Sequence, residues 1–256
     1  MKERDSIPQP DQLPGQIEAS RGTFNTTHWS VVLLAGQDGT PEGTSALEKL
    51  CRMYWYPLYA YARREGHDRS DGQDLTQQFF AVCFEKNSFS LADPDRGRFR
   101  NFLLTSFKHF LTNEHHRHRA AKRGGGCRFV SWDEAEVEAR YQQELATEAS
   151  PDKLFEQAWA LTLLDKVMKD LRQEYVCGGK ANVFDALQVF LTGDRSEATY
   201  EEIGKGLRKG ESAVKMAVSR LRRRYGEMLR SEIARTVTEP GVVEDELRQL
   251  IGALRR

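Results

Sequence analysis

Apolar residues recur along this chain at steps of three and four rather than two, the spacing of amphipathic helices. Leu47, Leu50, Tyr54, Leu58 and Tyr61 form the first such stripe, with Ser45 and Glu48 placed as a capping box and Pro57 expected to kink or interrupt it. A second helix is predicted to begin at Ser70, with Gln73 as its capping partner. Asp71 and Asp74 fall in its first turn and Phe79, Phe80 and Phe84 on its apolar side. After a loop through Asp93, Pro94 and Gly97, a helix is expected over about residues 98–122. Phe99, Leu103, Ser106 and Phe110 line one face, and Asn101, Thr105, Lys108, Thr112, His115 and Arg119 the other.

Gly124, Gly125 and Gly126 end this half of the chain. Ser150 and Pro151 read as an N-cap followed by proline at the first helical position, opening a stripe of Leu154, Ala158, Leu161, Leu164, Met168, Leu171 and Tyr175 that Gly178 and Gly179 stop. A shorter helix is predicted near 182–191. Two closing helices follow, the first opened by a Thr199–Glu202 capping box, the second carrying Val214, Ala217, Val218, Leu221 and Tyr225 on its core face. Beyond Pro240 a last amphipathic segment offers Val243, Leu247, Leu250, Ile251 and Leu254. No stretch alternates at period two long enough for a strand, so the expected fold is all-α.

Charge changes the picture because of where it lies. Lys and Arg number 38, as do Asp and Glu, yet residues 96–128 hold nine bases against the single acid Glu114, and 204–224 hold eight against Glu211. Between them, 133–156 holds eight acids and two bases. Two basic segments able to neutralise phosphates are thus separated by an acidic one that limits indiscriminate sticking. Residues 1–22, polar and carrying Pro8, Pro10 and Pro14, read as a disordered tail and not as a signal peptide. Cys51, Cys83, Cys127 and Cys177 are widely spaced, which suits reduced thiols in the cytoplasm, and no apolar run reaches membrane-spanning length.

The closing helix pair, with its short turn around Lys209 and Gly210, has the spacing of a helix-turn-helix. Its second helix sets Ser212, Lys215, Ser219, Arg222 and Arg223 away from the apolar stripe, within a basic run that includes Arg220. Such side chains reach base acceptors and phosphates in a major groove. In the earlier basic segment, Arg98, Arg100, Asn101, Thr105, Lys108, His115, Arg117, Arg119, Lys122 and Arg123 are the candidates for tracking a phosphate backbone. Phe99, Phe102 and Phe110 are assigned to the core. His109, His115, His116 and His118 with Cys127 match no closed zinc spacing and sit among cations, so no metal is expected. No phosphate-cradling glycine loop, H-E-x-x-H or G-x-S-x-G occurs, and no enzymatic activity or cofactor is expected.

Three segments resemble the extracytoplasmic-function sigma factors of bacterial RNA polymerase. Asp71-Gly72-Gln73-Asp74-Leu75-Thr76-Gln77-Gln78-Phe79-Phe80 is similar to that family's polymerase-binding helix, D-x-x-D-L-x-Q-x-x-F. Arg98-Phe99-Arg100-Asn101-Phe102-Leu103 is similar to the start of its minus-ten helix. Thr199-Tyr200-Glu201-Glu202-Ile203, then Val214-Lys215 and the basic run, resemble its minus-thirty-five helix-turn-helix. The Thr26-Thr27-His28-Trp29 opening resembles a planctomycete-type subgroup.

The resemblance implies two small helical domains, a region-two bundle at 23–125 and a region-four helix-turn-helix at 152–236, joined by a flexible acidic linker at 126–151; the helical extension at 237–256 is expected from its own apolar pattern. It implies docking on RNA polymerase core through Asp71, Asp74, Leu75, Gln77 and Phe80, promoter DNA as ligand, an anti-sigma factor as a further partner, and a monomer when free. The sequence departs from the family pattern in four places, the extra tail after Glu239 being one. Residues 171–192 form a longer approach to the last domain, Gly204 stands where alanine is common, and Ala213 stands where threonine often caps the recognition helix. The rival reading is a self-standing helix-turn-helix regulator, a dimer on a palindrome.

Overall fold

The computed structural model describes residues 40–86, 88–92, 98–118, 134–144, 149–192, 199–234 and 243–254, and every regular element among them is helical. In chain order these are α1 (Pro41–Arg64), α2 (Arg69–Glu85), a 3-10 turn (Ser88–Leu91), α3 (Phe99–His118), α4 (Glu134–Glu144), α5 (Pro151–Cys177), α6 (Ala181–Leu187), α7 (Val189–Thr192), α8 (Tyr200–Leu207), α9 (Glu211–Ala234) and α10 (Val243–Leu254). None of these helices is long and apolar enough to cross a membrane. The 1–22 tail, the Thr26–Trp29 opening, the 93–97 loop, Cys127 and the glycines at 124–126 lie outside the described residues.

Helix starts follow local chemistry. Ser150 accepts from the Lys153 amide with Pro151 behind it, as the sequence predicts. The same Thr-Pro logic starts α1 at Thr40–Pro41, where Thr40 accepts from the Gly43 amide at 3.0 Å, so Ser45 lies inside the helix rather than at its cap. α2 is likewise capped by Asp68, which accepts from the Asp71 amide at 2.8 Å, two residues before the expected Ser70. Pro57 does not interrupt α1. Every residue from Met53 to Ala62 is buried, and packing on all sides outweighs the roughly 3 kcal/mol that an internal proline costs a helix.

The larger core is built on α1 packed against α5, with α2, α3, α9 and α10 around them. Phenylalanines dominate its α2–α3 side. Phe79 meets Phe107 edge-on at 5.0 Å, and Phe107, not Ser106, is the centre of the buried face of α3. Trp159, fully enclosed, anchors α5; truncating a side chain of that size costs about 3–5 kcal/mol. The smaller core joins Leu171, Phe184, Leu187, Val214, Val218 and Leu221 beneath α8 and α9.

Two expectations about organisation need correcting. The acidic stretch at 126–151 contains α4, which is not a loose tether. Val137 and Tyr141, one turn apart, are buried against the larger core, Glu138 pairs with Arg63, and the Arg140 guanidinium lies 3.9 Å from the Tyr56 ring centroid. The stretch's acidity concealed a narrow apolar seam. Nor does a packing boundary fall at residue 152. α5 gives Leu154 to Val167 to the larger core and Leu171 to the smaller, so the division lies within one continuous helix.

Candidate nucleic-acid interface

The helix-turn-helix is assembled by short-range forces. Thr199 and Glu202 form the expected capping box: the Glu202 amide donates to Thr199 Oγ1 at 3.2 Å, and the Thr199 amide donates to Glu202 Oε2 at 2.8 Å. The Thr199 amide and the Thr199 hydroxyl, the latter at 3.1 Å, both donate to Glu202 Oε2 and hold the Glu202 carboxyl below its ordinary value. α8 ends at Arg208 in the left-handed region (φ +53°), and the chain crosses Lys209 and Gly210 to start α9 at Glu211. Val214, Val218 and Leu221 then fill the smaller core, and the Tyr225 hydroxyl, pushed up to about 12 by burial, continues that seam.

Opposite this seam α9 is exposed. At 100° per residue, Ser212, Met216, Ser219 and Arg223 form the outward ridge, flanked by Lys215 on one side and Arg220 on the other, and all six are exposed. Lys215 is braced by Glu211 at 2.7 Å and lies 5.7 Å from the Tyr200 ring centroid; its pairing with Glu211 raises its pKa and keeps it charged. Arg223 reaches Glu227 at 3.5 Å. Among the expected contacts Arg222 is the exception. Its Nε and Nη2 donate to the Phe190 carbonyl at 3.3 and 3.1 Å, turning the guanidinium back toward α7. Met216, 57 % exposed, was missed because the sequence reading weighed only polar residues on this face; a large apolar side chain on an outward ridge was the available signal.

On α3 the structure divides the expected set. Asn101, Thr105 and His115 are exposed with Thr112, forming the polar stripe, and Lys108 beside them pairs with Asp152 of α5. Arg100 is a correction. It is 3 % exposed, its Nε donates to Glu156 at 2.9 Å, its guanidinium carbon lies 4.4 Å from the Trp159 ring centroid, and its Nη1 binds Glu246. Arg98 also contacts Glu246, Nε to Oε2 at 2.6 Å, and its Nη1 donates to Gln249. In this arrangement the Arg100 guanidinium is turned inward, and that of Arg98, half-buried, is engaged by Glu246 and Gln249. Arg117 falls in the last turn of α3, and Arg119, Lys122 and Arg123 lie outside the described residues.

The expected polymerase-docking residues divide similarly. Asp71 and Asp74 are exposed and Gln77 is half-buried beside them, a ridge available to a partner. Leu75 and Phe80 are buried, Phe80 within the larger core, so neither side chain is part of that exposed ridge. Among the described residues no three His, Cys, Asp or Glu side chains converge as metal ligands.

No family model matches the chain, and no curated protein or solved structure matches it.

Proposed function

We propose that this chain is a sigma-type transcription initiation factor that works in the cytoplasm, docks on RNA polymerase core and directs it to promoters, with no catalytic step of its own. The observation that carries the reading is the outward face of α9: three cations, two hydroxyls and one methionine presented by the second helix of a tight helix-turn-helix. A helix so equipped fits a major groove, where Lys and Arg address guanine acceptors and phosphates and an apolar tip meets a thymine methyl. The Asp71–Asp74–Gln77 ridge supports the docking half of the proposal, because its polar side chains lie outside the core.

The test is reconstitution. Full-length protein mixed with bacterial core RNA polymerase is expected to form a stable complex and to yield transcripts from a subset of promoters. Failure to bind core enzyme, together with two-fold binding to palindromic duplexes as a dimer, would instead favour the self-standing regulator.

A further inference from the structure

Glu246 is the least expected acid in the molecule. It belongs to α10, it is fully buried, and both carboxylate oxygens are turned on guanidiniums of α3. Oε1 accepts from Arg100 Nη1. Oε2 lies 2.6 Å from Arg98 Nε but out of line for a hydrogen bond. Gln249, one turn further along α10, accepts from Arg98 Nη1. The carboxylate therefore sits between two guanidiniums at the N-terminal end of α3, where the unpaired backbone amides of a helix also favour negative charge. Trp159 and Glu156 fix Arg100 from the other side. α10 is held down by Leu250 in the larger core and by Glu244, whose Oε1 accepts from Arg230 of α9 at 2.8 Å.

Burying charge this way is a poor route to stability, since desolvation offsets much of the attraction between the ions. Yet the geometry is that of an anion site: two guanidinium groups converge on two oxygens of one acid, as they do on a phosphate. Of the two, Arg98 stands three residues before Asn101 at the head of the exposed polar stripe of Asn101, Thr105, Thr112 and His115, and Arg100 is buried beside it. Resting on the nucleic-acid reading above, we infer that Arg98 and Arg100 form a phosphate site for nucleic acid, and that Glu246 occupies it in place of phosphate, so that α10 closes the arginine site at the head of the α3 stripe. Phosphate binding at that site then requires α10 to leave. The exposed ridge of α9 stays accessible, so the closed molecule retains duplex binding through α9 while the two arginines at the head of α3 are masked.

The experiment uses the full chain with a labelled mixed-sequence single-stranded DNA and the matching duplex, titrated in salt. Glu246→Gln removes the charge and keeps the shape. It is expected to tighten single-strand binding about tenfold and to steepen the salt slope by roughly 0.7, the contribution of one phosphate on a single strand. Adding Arg98→Gln and Arg100→Gln to that variant is expected to return both to wild type. Equal affinities and slopes for wild type and Glu246→Gln, with duplex binding intact, overturn the masking and leave the DNA reading standing. Absence of binding to either probe by every variant overturns both. Should Glu246→Gln fail to fold, hydrogen exchange on the wild type decides. Saturating single-stranded DNA is expected to speed exchange across 243–254, and unchanged or slower exchange overturns the proposal.

Discussion

A β-carbon on Gly204 would stand 2.6 Å from the carbonyl oxygen of Lys209, while the Lys209 amide donates to the Gly204 carbonyl at 2.8 Å. The turn of the helix-turn-helix thus closes directly over a position that has no side chain, which accounts for glycine where the resembled family commonly has alanine. The clash is with backbone, so it cannot be relieved by rotating a side chain. Gly204→Ala is expected to lower stability by roughly 2 kcal/mol, read as a fall in melting temperature. Arg208, in the left-handed region four residues later, predicts the opposite sign. Arg208→Gly should be neutral or stabilise by up to about 1 kcal/mol. An unchanged melting temperature for Gly204→Ala would mean that the turn yields to the methyl group without cost.

The ridge of α9 gives a prediction about sequence reading. Met216 stands between Ser212 and Ser219 with its side chain in solvent, and Arg223 lies two turns beyond Met216. Met216→Ala is expected to cost about 1 kcal/mol on preferred duplexes by weakening preference at one T·A pair. Replacing that thymine by deoxyuridine should reproduce the loss in the wild type and add nothing in the variant. Arg223→Ala should weaken all sequences alike and lower the salt slope by about one. Arg222→Ala, because Arg222 is spent on the Phe190 carbonyl, should change stability more than salt slope. Equal salt slopes for wild type and Arg223→Ala would count against this face.

What could be read beforehand was local. The Thr199–Glu202 box, the Ser150–Pro151 start and the apolar seam of α9 depend on residues three or four apart, and the structure has them as expected. What could not be read depends on neighbours distant in the chain. Arg98 and Arg100 looked like solvent-facing cations because their partner Glu246 comes about 150 residues later. α5 looked one-faced, yet Phe155, Trp159, Leu163 and Val167 are also buried, because α1 covers a side that periodicity had left to solvent. Met216 was legible too, an apolar side chain at a position the helical period sets opposite the Val214, Val218 and Leu221 seam.

Glu138 links α4 to α1, and its titration makes that link sensitive to acid. Burial pushes its pKa up, but the bonds from Tyr59 at 2.6 Å, Gln142 at 2.7 Å and Arg63 outweigh burial and hold the carboxyl below its ordinary 4.5. A lowered carboxyl contributes stability that is present above the ordinary value and is lost as pH falls through the folded one. Glu138→Gln is therefore expected to cost roughly 2 kcal/mol at neutral pH. It should also flatten the decline in melting temperature below pH 4.5. Parallel acid limbs for the two proteins would assign the acid sensitivity elsewhere.

The last prediction separates docking from folding on α2. Asp74 is exposed with Gln77 half-buried beside it, whereas Leu75 and Phe80, from the same resembled motif, are buried in the bundle. Their substitutions should therefore fail in different ways. Phe80→Ala is expected to lose about 3–5 kcal/mol of stability and to impair every property of the chain together. The Asp74→Ala, Gln77→Ala double variant touches no core contact, so its melting temperature should stay close to wild type, within about 0.5 kcal/mol per site. Asp71 is left in place because it lies in the first turn of α2, where a negative charge favours the helix by about 0.3–1 kcal/mol and would blur the comparison. With folding held constant, the double variant is expected to bind core RNA polymerase at least tenfold more weakly, while duplex binding through α9 stays at the wild-type level. Core binding that survives the double variant would remove α2 from the docking surface, and duplex binding that falls with it would point to a change in fold rather than a lost contact.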